Sequence, residues 1–428
     1  MLQEFKIKNF LSFKDEVTLS FETTKGDIFE NEQVFLPKDN VRLLRLVIFL
    51  GANASGKSNL LRAIDFLRNF LFQKTSDADE PTGVTPFLLD TETKKMPSTF
   101  NLKFYVNGVR FWYSLTLDQH SVHDERLYKY KSVQPTQLFS RTLIDNKSVI
   151  SFNHALKISD IASQEISLRC LKNMSLFAVL GMVNASIPQV DTAREALRKC
   201  IMPLIGPNNI MLQYAERKME EDKSLKDYLR SFVHEADFNI TNVSIEKHKE
   251  MIPEGIRDML LSSKDVPEDT KKHLQEEPFM ERPSAMFEHS VSNKRGKERY
   301  TLSDNQQSDG TQRTLGIEAA IREGVTKHRL IPVDEIERSL HPNLLEFILK
   351  KYLSENTESQ LLATTYYDEI LDWVGRTIRK DSIWFTEKQP DGSTKIYPLT
   401  SVKGLNKMRN LQKKYSEGSL VDAFPHIK

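Results

Sequence analysis

The residues Gly51-Ala52-Asn53-Ala54-Ser55-Gly56-Lys57-Ser58 read G-x-x-x-x-G-K-S. An apolar run, Leu46 to Leu50, leads into them, and an amphipathic stretch over 59–72 leads away. That strand-loop-helix setting is the one in which the pattern carries chemistry. The chemistry is the cradling of a triphosphate. Glycines let successive backbone N–H groups turn inward, and the start of a helix adds its positive end. On this reading Gly51, Asn53, Ala54, Ser55, Gly56 and Asn59 wall the phosphates. Lys57 reaches the β- and γ-phosphates, and the Ser58 hydroxyl ligates Mg²⁺. The segment implies a nucleotide, ATP with Mg²⁺, as its ligand.

Two further groups supply what such a loop lacks. Ser308-Asp309-Gly310-Thr311-Gln312-Arg313 opens an apolar helical stretch. A serine there caps the helix, which is a sufficient local reason for it. The same arrangement of Ser308 and Gly310 also offers a hydroxyl, backbone N–H groups and a helix dipole to an anion. Farther on, Leu330-Ile331-Pro332-Val333 runs into Asp334-Glu335. A strand ending in this way places Asp334 beside a magnesium ion and leaves Glu335 to polarise a water for in-line attack on phosphorus. His341, before Pro342, is either a base or a structural or interface histidine.

These residues need elements to hold them. Leu2 to Phe21 alternates apolar positions around a polar bend and predicts a two-stranded hairpin. Thr23 to Asn40 reads as a loop before a strand over 43–50. Asn107-Gly108, between runs 100–106 and 110–117, is the strongest hairpin signal in the chain. Its aromatics, Phe104, Tyr105, Phe111, Trp112 and Tyr113, suit a core face better than a base-stacking platform. Further strands follow over 127–151. From His154 the period becomes helical, through 158–183, 191–205 and 213–232, with short helices around Pro267. This middle region carries no catalytic constellation and reads as a partner-docking or nucleic-acid-contacting arm, or as a structural lid. Lys294, Arg295, Lys297 and Arg299 cluster about Gly296 and suit the decoration of a hairpin turn better than a phosphate track. The resulting division is 1–153, a mainly helical insertion over 154–284, and 285–428.

Composition excludes several classes. The chain has 428 residues, 39% of them hydrophobic, and Lys+Arg 60 against Asp+Glu 59 leaves a net charge of +1. Charge as a whole therefore argues neither for nucleic acid nor for a membrane surface. The two cysteines, Cys170 and Cys200, have no metal-ligand spacing and read as buried thiols. No signal-peptide pattern occupies residues 1–14, and the most apolar run, 174–183, is too short to span a bilayer. A cytoplasmic location is expected.

The order Gly51–Ser58, Ser308–Arg313, Asp334-Glu335, Ser339-Leu340-His341-Pro342 and Leu361-Leu362-Ala363-Thr364-Thr365 resembles an ABC-type ATPase head of the RecF/SMC kind. More narrowly it is similar to the RloA-like AAA-family ATPases of bacterial defence loci, a group that includes the AriA component of the PARIS anti-phage system. Phe5-Lys6-Ile7-Lys8-Asn9-Phe10 and the tail from Ile383 to Pro425 share in that similarity. The resemblance covers both ends of the chain well and the middle loosely. It implies an α/β fold: an ABC-type P-loop NTPase head, a mixed sheet with an N-terminal antiparallel part, and a helical insertion domain. It implies two heads in a homodimer or higher homo-oligomer, sandwiching ATP, with Ser308 and Gly310 of one chain closing on the γ-phosphate held by the other. It further implies a separate effector, a toprim-like nuclease encoded nearby, released on a phage-derived trigger. The competing reading is a DNA-repair or chromosome-maintenance ATPase that binds DNA directly.

One departure bears on turnover. In ABC-type heads a histidine usually follows the Thr-Thr pair and contacts the γ-phosphate, whereas this chain has Tyr366. A phenol donates one hydrogen bond and carries no positive charge near neutral pH. Slow hydrolysis, or an ATP-bound scaffold that scarcely hydrolyses, follows from that exchange. No glutamine-loop residue stands out, and Pro86-Phe87-Leu88-Leu89-Asp90 occupies its place.

Overall fold

The computed structural model describes every residue except 24, 25, 27, 210, 237, 238, 264, 265, 406–409 and 419–428. The chain forms two compact units. The first comprises Met1–Pro207, Gly324–Arg338 and Ile348–Lys428, and the second Asn208–Glu323 with Ser339–Phe347.

The first unit begins with the expected hairpin, β1 (Leu2–Lys8) and β2 (Val17–Ser20), paired antiparallel. The expected loop over 23–40 instead contains one helical turn, α1 (Glu30–Gln33), and a short strand, β3 (Val34–Phe35). β3 pairs with β4 (Leu43–Leu44), so the strand expected over 43–50 is split from β5 (Leu46–Leu50). Arg45 at the split is buried, and its guanidinium donates to the carbonyls of Glu32, Tyr352 and Leu353. After β5 come the phosphate-loop residues and α2 (Lys57–Phe70).

A run of antiparallel strands follows: β6 (Ser98–Val106), β7 (Val109–Leu117), β8 (Val122–Tyr130), β9 (Pro135–Ile144) and β10 (Lys147–Phe152). Asn107 and Gly108 both have positive φ, 51° and 76°, as a two-residue primed turn demands. The seven-stranded sheet runs β10-β9-β8-β7-β6-β1-β2. Four of the five aromatics, Phe104, Tyr105, Phe111 and Tyr113, are buried as expected, whereas Trp112 is half-buried and stacks on Tyr128 at 4.6 Å.

The helical stretch expected over 158–183 forms two short helices, α3 (Asp160–Arg169) and α4 (Leu176–Leu180), before α5 (Pro188–Cys200). The break between α3 and α4 lies over a buried ion pair. Arg141 and Glu125, both fully buried, meet at 3.1 Å. Arg141 also donates to the carbonyls of Leu171, Lys172 and Met174, and Glu125 accepts from Tyr113, Ser175 and the Leu176 N–H. Carbonyls freed by the helix break thus satisfy the guanidinium. Cys170 is buried as expected, while Cys200 is only half-buried.

The second unit does not begin at His154. Residues 154–207 pack in the first unit, so the boundary expected there falls at Pro207. The insertion, expected to be mainly helical, also holds a three-stranded sheet. α6 (Leu212–Glu221) and α7 (Lys223–Glu235) replace the single helix expected over 213–232, because Asp222 stops one and caps the other, accepting from Ser224 and Leu225 N–H. β11 (Ile240–Met251) follows, and α8 (Glu254–Ser262) and α9 (Glu268–Glu276) are the helices expected around Pro267. β12 (Phe279–Asn293) and β13 (Gly296–Ser303) complete a three-stranded antiparallel sheet, β11-β12-β13. Long β-ladders betray no helical period, and the sequence around 240–251 and 279–293 carries little apolar alternation to announce them. The unit also holds the start of α10 (Asp309–Thr326), so residues 285–323 group with the insertion and not with the C-terminal part of the head.

The chain returns to the first unit with β14 (Leu330–Val333); α11 (Pro342–Ser354) begins in residues of the second unit and ends in the first, where β15 (Gln360–Thr364), β16 (Ile383–Lys388), β17 (Thr394–Pro398) and α12 (Leu411–Ser416) follow. The five-stranded sheet is ordered β14-β15-β5-β16-β17. Neighbours from β14 to β16 are parallel, and β17 is antiparallel. β5, β14 and β15 are buried throughout, as parallel strands with covered faces are. The expected class, an α/β head with a mixed sheet and an N-terminal antiparallel part, is what the chain forms. Its two strand systems are separate sheets. Pro425, the end of the tail quoted above, lies outside the described residues.

Candidate nucleotide site

In a parallel sheet the strand ends that face one side share a crevice, and loops leaving them meet there. β5, β14 and β15 are parallel neighbours, with β15 central to the three. The loop after β5 therefore lies beside the residues that follow β14 and β15. Those are Gly51–Ser58, Asp334-Glu335 and Thr365-Tyr366.

The loop is held from below by hydroxyls. Ser55 Oγ lies 2.5 Å from Thr386 Oγ1 on β16, and Thr394 Oγ1 on β17 donates to the Ser55 carbonyl at 2.9 Å. Ser12 links the same loop to the N-terminal hairpin, its hydroxyl accepting from Asn59 Nδ2 at 2.9 Å and forming a hydroxyl–hydroxyl bond with Thr394 Oγ1 at 2.8 Å. This close fit is what the glycines serve. A Cβ on Gly51 would collide with Thr386 and Ser55, and one on Gly56, whose φ is 102°, with Thr394 and Ser12. Ala54 also takes a positive φ, 60°.

Lys57 opens α2 and is only 3% exposed. Its ammonium donates back to the loop carbonyls of Gly51 at 2.6 Å and Ala52 at 3.1 Å. Above it lies the Tyr366 ring, centred 3.5 Å from Nζ. Burial pushes the Lys57 ammonium down to about 8, against the opposing pull of Glu337, Asp334 and Glu335. Burial, and then the charges of Glu335, Asp334 and Glu337, raise the Tyr366 phenol above its ordinary value. Tyr366 is thus neutral at physiological pH, as its residue type suggested.

Asp334 is buried at the end of β14. Its Oδ1 accepts from Ser58 Oγ at 3.0 Å and from Thr364 Oγ1 at 2.5 Å. A carboxylate beside a serine hydroxyl is an all-oxygen donor set, and hard divalent cations such as Mg²⁺ take oxygen ligands. Ser58 and Asp334 fit the ion that the motif implies, and would hold it. When bound, it neutralises charge on the phosphates. Glu335 follows with φ 49°, a left-handed conformation that costs a non-glycine residue on the order of 1 kcal/mol. Its N–H donates to Thr364 Oγ1 at 2.9 Å, and its carboxylate pairs with Arg338 at 3.5 Å. Thr364 thereby orients both acids.

A cavity of about 430 Å³ opens over the loop. Ala54 to Asn59 form its floor, and Tyr366, Arg62, Lys388 and the Leu11–Ser12 bend line its sides. Thr85 to Leu89 form another wall, which puts the Pro86–Asp90 segment at the mouth of the site as its place in the chain suggested. Asn9 anchors that segment: its Oδ1 accepts from the Phe87 N–H at 3.0 Å while Nδ2 donates to the Thr93 and Met96 carbonyls. Lys14 holds Asp90 at 2.9 Å and keeps that carboxyl down at about 2.

Ser308 and Gly310 belong to the second unit. Ser308 Oγ accepts from the Thr311 N–H at 3.2 Å, the capping role that its position predicted. Gly310 is required by packing: a Cβ there would stand 2.7 Å from the Ser339 carbonyl. His341 accepts from the Asn343 N–H through Nδ1 at 3.3 Å, a structural bond at the start of α11. Sequence reasoning missed Thr364, Glu337, Thr386, Thr394 and Ser12 as parts of the site. Only Thr364 and Glu337 stood close enough to a motif to be found.

Among the described residues no helix is long and apolar enough to cross a membrane, and no group of His, Cys, Asp and Glu forms a metal cluster of its own. Comparison with known proteins adds the following. The chain is similar to the "SMC head domain from Thermotoga maritima" with 13% identity and a TM-score of 0.39, over 93% of this chain and 98% of that one. It is similar to the "SmcHead bound to the C-winged helix domain of ScpA" with 13% identity and a TM-score of 0.45, over 95% and 99% of the two chains. No curated protein sequence matches it significantly. The model of one family matches residues 46–166 and 212–372, more than half of the chain and both acidic and lysine-bearing parts of the site. The chain therefore belongs to the family described as "AAA domain, putative AbiEii toxin, Type IV TA system".

Proposed function

We propose that this chain binds and hydrolyses ATP with Mg²⁺ as an ABC-type ATPase, and that it serves bacterial anti-phage defence by controlling a separate effector nuclease. The observation that carries the ATPase reading is the hydrogen bond from Ser58 to Asp334, which joins distant parts of the chain beside the cavity that Lys57 and Ser58 line. Lys57 binds phosphate, Ser58 and Asp334 hold the cation, and Glu335 takes a proton from the attacking water. Tyr366 in place of a histidine makes turnover slow. Ser308 and Gly310 close the site in trans in a homodimer or larger homo-oligomer. The defence role rests on the RloA-like resemblance, with AriA among its members, and on a family whose description reads "putative AbiEii toxin, Type IV TA system". Its setting is the bacterial cytoplasm.

Single-turnover hydrolysis by wild type and Glu335→Gln tests the enzyme. Measurable Mg²⁺-dependent phosphate release from wild type, lost in the variant, is expected, and equal rates would refute it. Co-purification with the product of the neighbouring gene tests the effector, and consistent absence of a bound partner would count against it.

A second reading, direct DNA binding, is favoured by one feature. Lys294, Arg295, Lys297 and Arg299 are all exposed around the β12–β13 turn. A steep fall of DNA affinity with salt, relieved by Lys294→Glu with Arg295→Glu, would support it.

A further inference from the structure

The ammonium of Lys57 is nearly buried although the residue lines the cavity. Two loop carbonyls accept its protons, and the Tyr366 ring covers it at 3.5 Å. A ring so placed on a buried cation is attracted to it by its quadrupole. The Tyr366 backbone is held by Glu337. Its Oε1 accepts from the Tyr366 backbone N–H at 2.7 Å, across 29 positions of sequence, and its Oε2 is buried without a hydrogen-bond partner. Glu337 is also the carboxylate that acts most strongly on Lys57, ahead of Asp334 and Glu335. One acid thus fixes the tyrosine backbone and attracts the cation under its ring. Tyr366 is 42% exposed, so much of the side chain faces solvent and has room to move.

We propose that Glu337 is a positioning residue for a latch: it pins Tyr366 over Lys57, and a nucleoside triphosphate gains the lysine only when the ring has swung aside. The inference rests on the reading of Gly51–Ser58 as a triphosphate loop and adds the regulation of that loop. It accounts for an exposed aromatic side chain at the mouth of a polar site. It also gives Glu337, two residues beyond the acidic pair, a role that neither metal holding nor water activation requires. The resting protein binds triphosphate below its intrinsic affinity, because part of the binding free energy is spent on opening the ring.

The latch exists without nucleotide, so it is tested without one. Brief treatment of the purified full chain with acetic anhydride, followed by peptide mass spectrometry, reads the accessibility of Lys57. Tyr366→Ala and Glu337→Ala are expected to acetylate Lys57 about five to ten times faster than wild type, the range that loss of a buried cation–ring contact corresponds to. Tyr366→Phe keeps the ring and Glu337→Gln keeps the acceptor, so both are expected to remain slow. Wild-type rates in Tyr366→Ala, or equally fast labelling in Glu337→Gln and Glu337→Ala, would overturn the latch. In the second arm, equilibrium binding of a fluorescent non-hydrolysable ATP analogue should tighten about fivefold in Tyr366→Ala. Weaker binding there would make the ring a nucleotide contact and also overturn the latch. A wild type that binds no nucleotide would refute the proposed function, and the acetylation rates would still decide whether the ring guards the lysine.

Discussion

Ser58 and Asp334 are separated by 276 positions in the chain, and the serine hydroxyl donates to the aspartate carboxylate at 3.0 Å. The hydrogen bond joins the first turn of α2 to the end of β14, and Thr364 adds a second hydroxyl to the same oxygen at 2.5 Å. Asparagine would still accept both protons through its Oδ1 but has no charge to offer a cation. Asp334→Asn should therefore fold with a melting temperature within a few degrees of wild type. It should lose the Mg²⁺ dependence of nucleotide binding and at least about 100-fold in ATP turnover. A Mg²⁺ titration of a fluorescent ATP analogue, beside a thermal melt, checks both parts.

Glu335 reaches the hydrogen bonds around Ser58 through its backbone N–H on Thr364. Its backbone is turned by φ 49° and its carboxylate is paired with Arg338. Glu335→Gln should bind ATP as wild type does and lower the single-turnover rate by about 10² to 10⁴, the usual worth of a positioned base. Rapid-quench hydrolysis with saturating protein measures it.

Lys57 gives the site a pH dependence of definite sign. Its folded-state value is pushed down to about 8 from an ordinary 10.5 by burial. Between these values the unfolded chain holds a proton that the folded chain has lost. Stability therefore rises with pH across that window, and the cost of the buried ammonium is fully present below about 8. Phosphate binding needs the protonated form. Affinity for ATP should fall about tenfold from pH 7 to pH 9. Lys57→Met, already weak, should show no such slope. Isothermal titration at several pH values, in buffers of different ionisation heat, also detects the proton taken up.

Gly310 is packed against the Ser339 carbonyl, where a methyl group would stand at 2.7 Å from the oxygen. Gly310→Ala must displace the start of α10 or the Ser339 turn. On the composite-site reading this variant keeps ATP binding by its own loop and loses turnover by at least about tenfold, because a site closed in trans is misaligned. Mixing it with Lys57→Met should restore at most half of the sites, which a turnover titration reads directly.

Stability in the first unit depends on Arg141 and Glu125, fully buried together at 3.1 Å. Removing one charge leaves the other uncompensated. Arg141→Leu should cost about 3–5 kcal/mol in urea unfolding, and Arg141→Leu with Glu125→Leu distinctly less than the two single changes combined. An additive result would show that the two charges act independently.

Much of the site was legible because its chemistry is local. A glycine-bounded loop, a lysine and a serine stand in consecutive positions, and the spacing alone dictates a phosphate cradle after a strand. The acidic pair was legible for the same reason, at the end of an apolar run. The hairpin at Asn107-Gly108 was legible because left-handed backbone is open to few residue types. The ribbon of β11 and β12 was not, since much of it is exposed and carries no period of apolar residues.

What the amino-acid order determined by itself was the set of reactive groups and the α/β setting of each. Tertiary structure alone decided which of them meet. Strand order in the five-stranded sheet, β14-β15-β5, carries Asp334 and Tyr366 to the loop, and strand order depends on long-range pairing and helix packing that no local pattern encodes. Glu337 stands two residues beyond the acidic pair, where a motif could point to it, but its bond to the Tyr366 backbone could not be read there, because a hydrogen bond across 29 residues leaves no trace in spacing.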